Sequence, residues 1–154
     1  MDYDNIKVKQ AGEVVQSFIS ISKTLIKFSI KNATSLGITL QQMGILNTIN
    51  PSPEITLKEV ADKLQLPKST VSVNVDGLVK LGLVKRRTTG EDRREIHLSL
   101  STKGQELSRK SSQNALSYRA MILALEKIPE EDVQVILRTH KELLIHLQDS
   151  YMNG

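Results

Sequence analysis

Residues 68–94 hold most of the groups that could act on a polyanion. Seven cations lie there (Lys68, Lys80, Lys85, Arg86, Arg87, Arg93 and Arg94) against three anions, Asp76, Glu91 and Asp92. Their excess of four positive charges equals the formal net charge of the whole 154-residue chain, so the remainder is balanced. A basic patch on a balanced chain is the electrostatic footprint of a phosphate-rich partner; the plainer reading is an unevenly charged, solvated surface. Within the same stretch, Lys68, Ser69, Thr70, Ser72, Val73 and Asn74 put short polar groups and one apolar side chain at the start of a helical pattern. Short donors and acceptors at a helix N-terminus can approach base edges in a major groove, and the backbone amides there can hold a phosphate. Taken alone, such a face is more often simply solvated.

Other chemistries find little support. With no cysteine in the chain, a thiol nucleophile, a Cys-ligated zinc and thiol-based redox sensing are all excluded. The histidines are His97, His140 and His146, and the last two, six apart, fall on different faces of a helix. No metal site and no cofactor are expected. Ser69 and Ser72 lack a neighbouring His/Asp set, so no hydrolase machinery and no enzyme activity are expected. Aromatics make up 3% of the chain and Trp is absent, which disfavours modules that stack single-stranded bases. The first thirty residues contain neither a signal-peptide pattern nor an apolar run of about 18 residues, so a cytoplasmic protein without a membrane partner is expected.

The elements that position these residues follow from periodicity and punctuation. Over 12–32, Val14, Phe18, Ile21, Leu25 and Phe28 step by helical intervals, and Val15, Ile19, Ile26 and Ile30 form a second stripe. A helix apolar on two faces is usually buried on two faces, which in so small a chain points to a second subunit on one side; the plainer alternative is a core helix of a monomer. Gly37 is its stop signal. Thr39–Gln42 and Thr56–Glu59 read as capping boxes opening two short helices, separated by the loop Asn50-Pro51-Ser52-Pro53. The second of these carries Val60, Ala61 and Leu64 inward. Leu66-Pro67 marks a turn. The next helix has Val71, Val75, Leu78 and Leu81 on one face and ends at Gly82. The period then changes. Residues 83–87 read as a strand, 88–94 as a polar loop longer than a tight two-residue turn, and Ile96, Leu98 and Leu100 alternate along a second strand. Thr102–Gln105 reads as a third capping box, opening one long helix to about Lys127. A final helix starts at Pro129 and carries Val133, Leu137, His140, Leu144, Leu147 and Tyr151.

Helix, tight turn, helix and hairpin over 56–100 make a helix-turn-helix followed by a β-wing. The fold class expected is mainly α with a small β-hairpin wing (α+β). The runs Thr56–Leu64, Lys68–Ser72, Leu81–Arg86, Asp92-Arg93-Arg94 and Leu98–Gly104 together resemble the MarR family of winged-helix transcription regulators. The similarity extends over about residues 10–150. It implies a single domain over 1–154: a winged-helix lobe at 39–100, with the helix-turn-helix at about 56–81 and the wing at about 83–100. Dimerisation helices would occupy 8–36 and 102–152. It also implies a homodimer on a pseudo-palindromic double-stranded DNA operator, repression of nearby genes, and release by a small-molecule effector.

In that reading Lys68, Ser69, Thr70, Ser72, Val73 and Asn74 face the major groove. Asp92, Arg93 and Arg94 form the minor-groove wing tip, with Asp92 bonded to an arginine or to wing backbone. Arg86, Arg87 and Lys80 hold phosphate. The competing expectation is a winged-helix protein-interaction module that never touches DNA. Such a module has no need of a basic wing.

Overall fold

The computed structural model describes residues 5–89 and 92–152. In order, the elements are α1 (Ile6–Ser35), α2 (Leu40–Ile49), β1 (Ile55–Thr56), α3 (Leu57–Leu64) and α4 (Lys68–Lys80). They continue with β2 (Val84–Thr89), β3 (Asp92–Leu100), α5 (Thr102–Gln113), α6 (Leu116–Leu125) and α7 (Glu130–Met152). The chain divides into two compact units, residues 1–116 and 117–154. It is mainly helical with one small sheet, as expected.

The helix boundaries come from local chemistry. Asn5, unnoticed in the sequence, caps α1 by accepting from the Lys7 amide at 2.9 Å. Both expected capping boxes form, Thr39 with Gln42 and Thr56 with Glu59. Gly37 and Gly82 have φ of +74° and +71°, the left-handed conformation a helix stop requires. After α1, the Gly37 and Ile38 amides return to the Thr34 and Ala33 carbonyls. After α4, those of Gly82 and Leu83 return to Val79 and Leu78, the same double closure. Gln65 closes α3 in the left-handed region as well, with φ +51°, and this tightens the turn before α4.

Three expectations are corrected. The helix after the wing begins at Ser101, whose hydroxyl accepts from the Gly104 amide at 3.0 Å; Thr102 is already helical. That helix does not run on to Lys127, because α5 stops at Gln113 and α6 starts at Leu116. Serines supply the reason. The Ser111 and Ser112 hydroxyls both bond back to the Ser108 carbonyl, competing with the helix ladder just before the Asn114 cap. Leu81, expected inward, lies past the end of α4 and is 43% exposed.

The sheet has order β1-β3-β2, all antiparallel. The two-residue strand β1, opposite Leu98 and His97, is too short to leave a periodic signal. The wing also differs from expectation. Pairing continues outward to Thr89 opposite Asp92, so the expected loop at 88–94 is largely strand. Only residues 90 and 91 separate the strands, and they lie outside the described residues.

The core lies in the first unit. Ile45, Leu46 and Ile49 of α2 meet Val60 of α3, Val71, Val75 and Leu78 of α4, and Leu98 of β3, all essentially sealed from solvent. Buried polar groups tie α5 to this core. Asn47 Oδ1 accepts from the Ser108 and Ser111 hydroxyls at 2.9 and 3.0 Å. Asn32 of α1 donates to the Ser111 carbonyl at 3.0 Å. The buried hydroxyls of Ser108 and Ser111 and the Asn32 amide thus each find an acceptor, as burial demands. No helix among the described residues is long and apolar enough to cross a membrane.

Candidate nucleic-acid interface

Helix α4 presents a mixed outer face because its buried stripe takes Val71, Val75 and Leu78. Lys68, Ser69, Val73, Asp76 and Lys80 are exposed, while Thr70, Ser72 and Asn74 are half-buried. Pro67 starts the helix without a side-chain cap, which leaves the first-turn amides to solvent or a ligand.

Two of the expected readers are engaged within the fold. Asn74 Nδ2 donates to the Thr70 carbonyl at 2.9 Å and to Gln41 Oε1 of α2 at 3.2 Å. Ser72 offers its carbonyl to Arg86 of β2, whose guanidinium lies at 3.1 Å. The same guanidinium pairs with Asp76 Oδ1 at 2.6 Å. Arg86 therefore ties the recognition helix to the wing strand and neutralises the acid on the helix's outer face. Its Nε is buried without an acceptor, so the arrangement carries some desolvation cost. Lys68 and Ser69 have no side-chain hydrogen bond among the described residues.

Supports the sequence reading missed lie around this helix. Lys103 Nζ donates to the Leu81 carbonyl at 3.1 Å, at the end of α4 where a cation is favoured. The Ser101 hydroxyl donates to the Gly82 carbonyl at 2.7 Å. Gln41, Ser101 and Lys103 are distant in sequence from the residues they hold, and their identities alone leave no signal.

At the wing, Arg87 is exposed and lies 3.8 Å from Glu54, a solvent-screened pair of little energetic weight. His97 Nδ1 donates to the Glu54 carbonyl at 2.9 Å, bracing the segment before β1 against β3. The strand register is irregular at the tip. Thr88 faces Ile96 and Thr89 faces Asp92, so residues 93–95 have no opposite number on β2. Arg93 and Arg94 therefore occupy a bulge in the backbone ladder. The side chains of Asp92, Arg93 and Arg94, and the bond expected of Asp92, lie outside the described residues.

Among the described residues, two carboxyls are perturbed. Glu59 is held below the ordinary 4.5 mainly by the Thr56 amide, and further by the Thr56 hydroxyl. Glu106 is lowered by Lys110, which bonds it at 2.9 Å.

A tight helix-turn-helix packed on a three-stranded antiparallel wing defines a winged-helix protein. Comparison with known proteins agrees. A model described as MarR family matches residues 36–95. The crystal structure of a multiple antibiotic-resistance repressor (MarR) from Listeria monocytogenes is 32% identical, covering 94% of this chain and 99% of that one, with a TM-score of 0.68. The HTH-type transcriptional regulator PrsX of Escherichia coli is 26% identical over 84% of this chain and 74% of its own length. Streptococcus pneumoniae FabT, crystallised in complex with DNA, shares the fold at 23% identity and TM-score 0.68, covering 92% of this chain and 97% of that one. The chain belongs to the MarR family of winged-helix transcription regulators.

Proposed function

We propose that this protein is a homodimeric repressor that binds a specific double-stranded DNA operator. The observation that carries the reading is a recognition helix with an open, uncapped first turn, braced against a basic wing strand by Arg86. The relative FabT, of like fold, was crystallised with DNA. Lys68, Ser69, Thr70, Ser72, Val73 and Asn74 face the major groove. Arg93 and Arg94, beside Asp92, enter the minor groove, where the potential is most negative. Arg87 and Lys80 hold phosphate. Arg86 reaches a phosphate only by sharing its internal partners, so its chief role is positioning.

Dimer formation is supported by the apolar surface of the long helices. On α1, Val14, Val15, Ile21, Ile26 and Ile30 are each close to half exposed. On α7, Leu137, Leu144 and Leu147 are more than half exposed. Such stripes need cover. Two recognition helices about 34 Å apart would read half-sites about 10 bp apart. Release by a small-molecule effector belongs to the proposal and rests on family membership.

Selection of bound duplexes from a random pool tests the reading, and a pseudo-palindrome is the expected result. With that operator, Arg93→Ala combined with Arg94→Ala should weaken binding across all sequences. It should also flatten the salt dependence by up to about two phosphates' worth. An unchanged slope removes the wing from the interface. Failure to retard any duplex at low salt removes DNA altogether and leaves the protein-interaction module.

A further inference from the structure

The outer face of α4 has one feature that hydrogen-bond readout does not explain. Val73 is 69% exposed, at the centre of a helix whose Val71 and Val75 are completely buried. It faces the same way as Ser69, one turn back, and lies between Ser72 and Asn74, both held by the fold. The only other large apolar side chain exposed along α4 is Val79, at 38% and six residues on, which puts it around the helix from Val73. Val73 is thus an isolated apolar point. A protein-docking surface needs a contiguous patch, so this residue does not make one.

A valine can neither donate nor accept a hydrogen bond. In a major groove its one complement is the C5 methyl group of a pyrimidine: thymine natively, or 5-methylcytosine, which carries the same group. A β-branched side chain in a helix is confined to essentially one rotamer, so Val73 projects as a rigid probe. The bonds from Arg86 to Ser72 and from Asn74 to Gln41 hold the helix on both sides of it. Resting on the DNA-binding reading above, we propose that Val73 is a specificity-determining residue that reads a pyrimidine C5 methyl, that of a thymine, in each operator half-site.

The test uses the operator selected by the full-length protein, with dissociation constants measured at fixed salt. Each thymine is replaced in turn by deoxyuridine, which removes only the methyl, and each cytosine in turn by 5-methylcytosine. One symmetry-related thymine per half-site should show about a three- to fivefold loss for the wild type on removal of its methyl, the size expected for one buried methyl. Val73→Ala should bind the thymine and deoxyuridine probes alike. Because Val73 is exposed and Ala favours helix, this variant should keep the wild-type circular dichroism. A Val73-dependent gain at a 5-methylcytosine supports the same chemistry and identifies the modified base as its source. The proposal is overturned if specific binding is insensitive to every methyl, or if the deoxyuridine loss persists in Val73→Ala. Absence of any specific duplex overturns it together with the DNA-binding reading, and so is distinguishable from its own failure.

Discussion

The lobe built from α2 to β3 and the long helices outside it use apolar residues in opposite ways. In the lobe, short helices of 8 to 13 residues close on one another, and Ile45, Leu46, Val60, Val71, Leu78 and Leu98 are sealed. In the 30-residue α1 only Asn32 and Ala33 are buried, and in the 23-residue α7 no described residue is. Both regions show helical periodicity, and their apolar residues are of the same types. What differs is how much of each apolar stripe is buried. A complete core makes the lobe a rigid platform for α4 and the wing. In the proposed dimer, the open stripes of the long helices are the surfaces a second copy would cover.

That contrast can be broken from either side. The largest effect is expected on α1, where Ile21→Glu with Phe28→Glu puts two charges on the open stripe. Burying unpaired charge is costly enough to weaken a dimer on the order of a hundredfold or more, with little change to the isolated lobe. Light scattering across a dilution series would read the change; a dimer of unchanged strength would remove α1 from the interface.

Gly104→Ala attacks the lobe instead. A methyl at that position meets the Leu83 carbonyl oxygen, a backbone atom that cannot swing aside, and also crowds Leu100. A loss of about 1–3 kcal/mol is expected from urea unfolding. An unchanged midpoint would mean that α5 is free to move off the wing.

The smallest effect sharpens the comparison at one helix end. Thr56→Ala removes the α3 cap and should cost about 1 kcal/mol. It should also remove an acid sensitivity. Because the folded-state pKa of Glu59 lies below its ordinary 4.5, its contribution is complete above that value. It fades as pH falls through 4.5 and is gone below the folded value. Stability measured from pH 6 downward should therefore decline less steeply at the Glu59 step in Thr56→Ala than in the wild type.

Legibility in the sequence followed the range of the interactions. The capping boxes at Thr39 and Thr56 and the stops at Gly37 and Gly82 were readable, because each is made by residues within a few positions of one another. The break at Asn114 was missed, since serines look neutral until their hydroxyls are seen bonding back to Ser108. The wing was underestimated for a related reason. Thr88, Thr89 and Asp92 read as part of a polar loop, yet pairing between two adjacent strands holds them extended. The candidate site divides the same way. Its face on α4 was readable from periodicity, whereas the tethering of Asn74 to Gln41 and of Arg86 to Asp76 and Ser72 was not.

By itself, the sequence determined the order and type of nearly all the elements and the basic stretch at 68–94, because these depend on local spacing and charge, and it carried the resemblance to the family. Only the tertiary structure decided which of those groups are committed internally and which remain open. It turned Arg86 into a brace, tied Asn74 and Ser72 to their neighbours, and left Val73 projecting alone. The physical reason is that a side chain's availability depends on the partners folding brings within about 3 Å of it, and those partners lie far away along the chain.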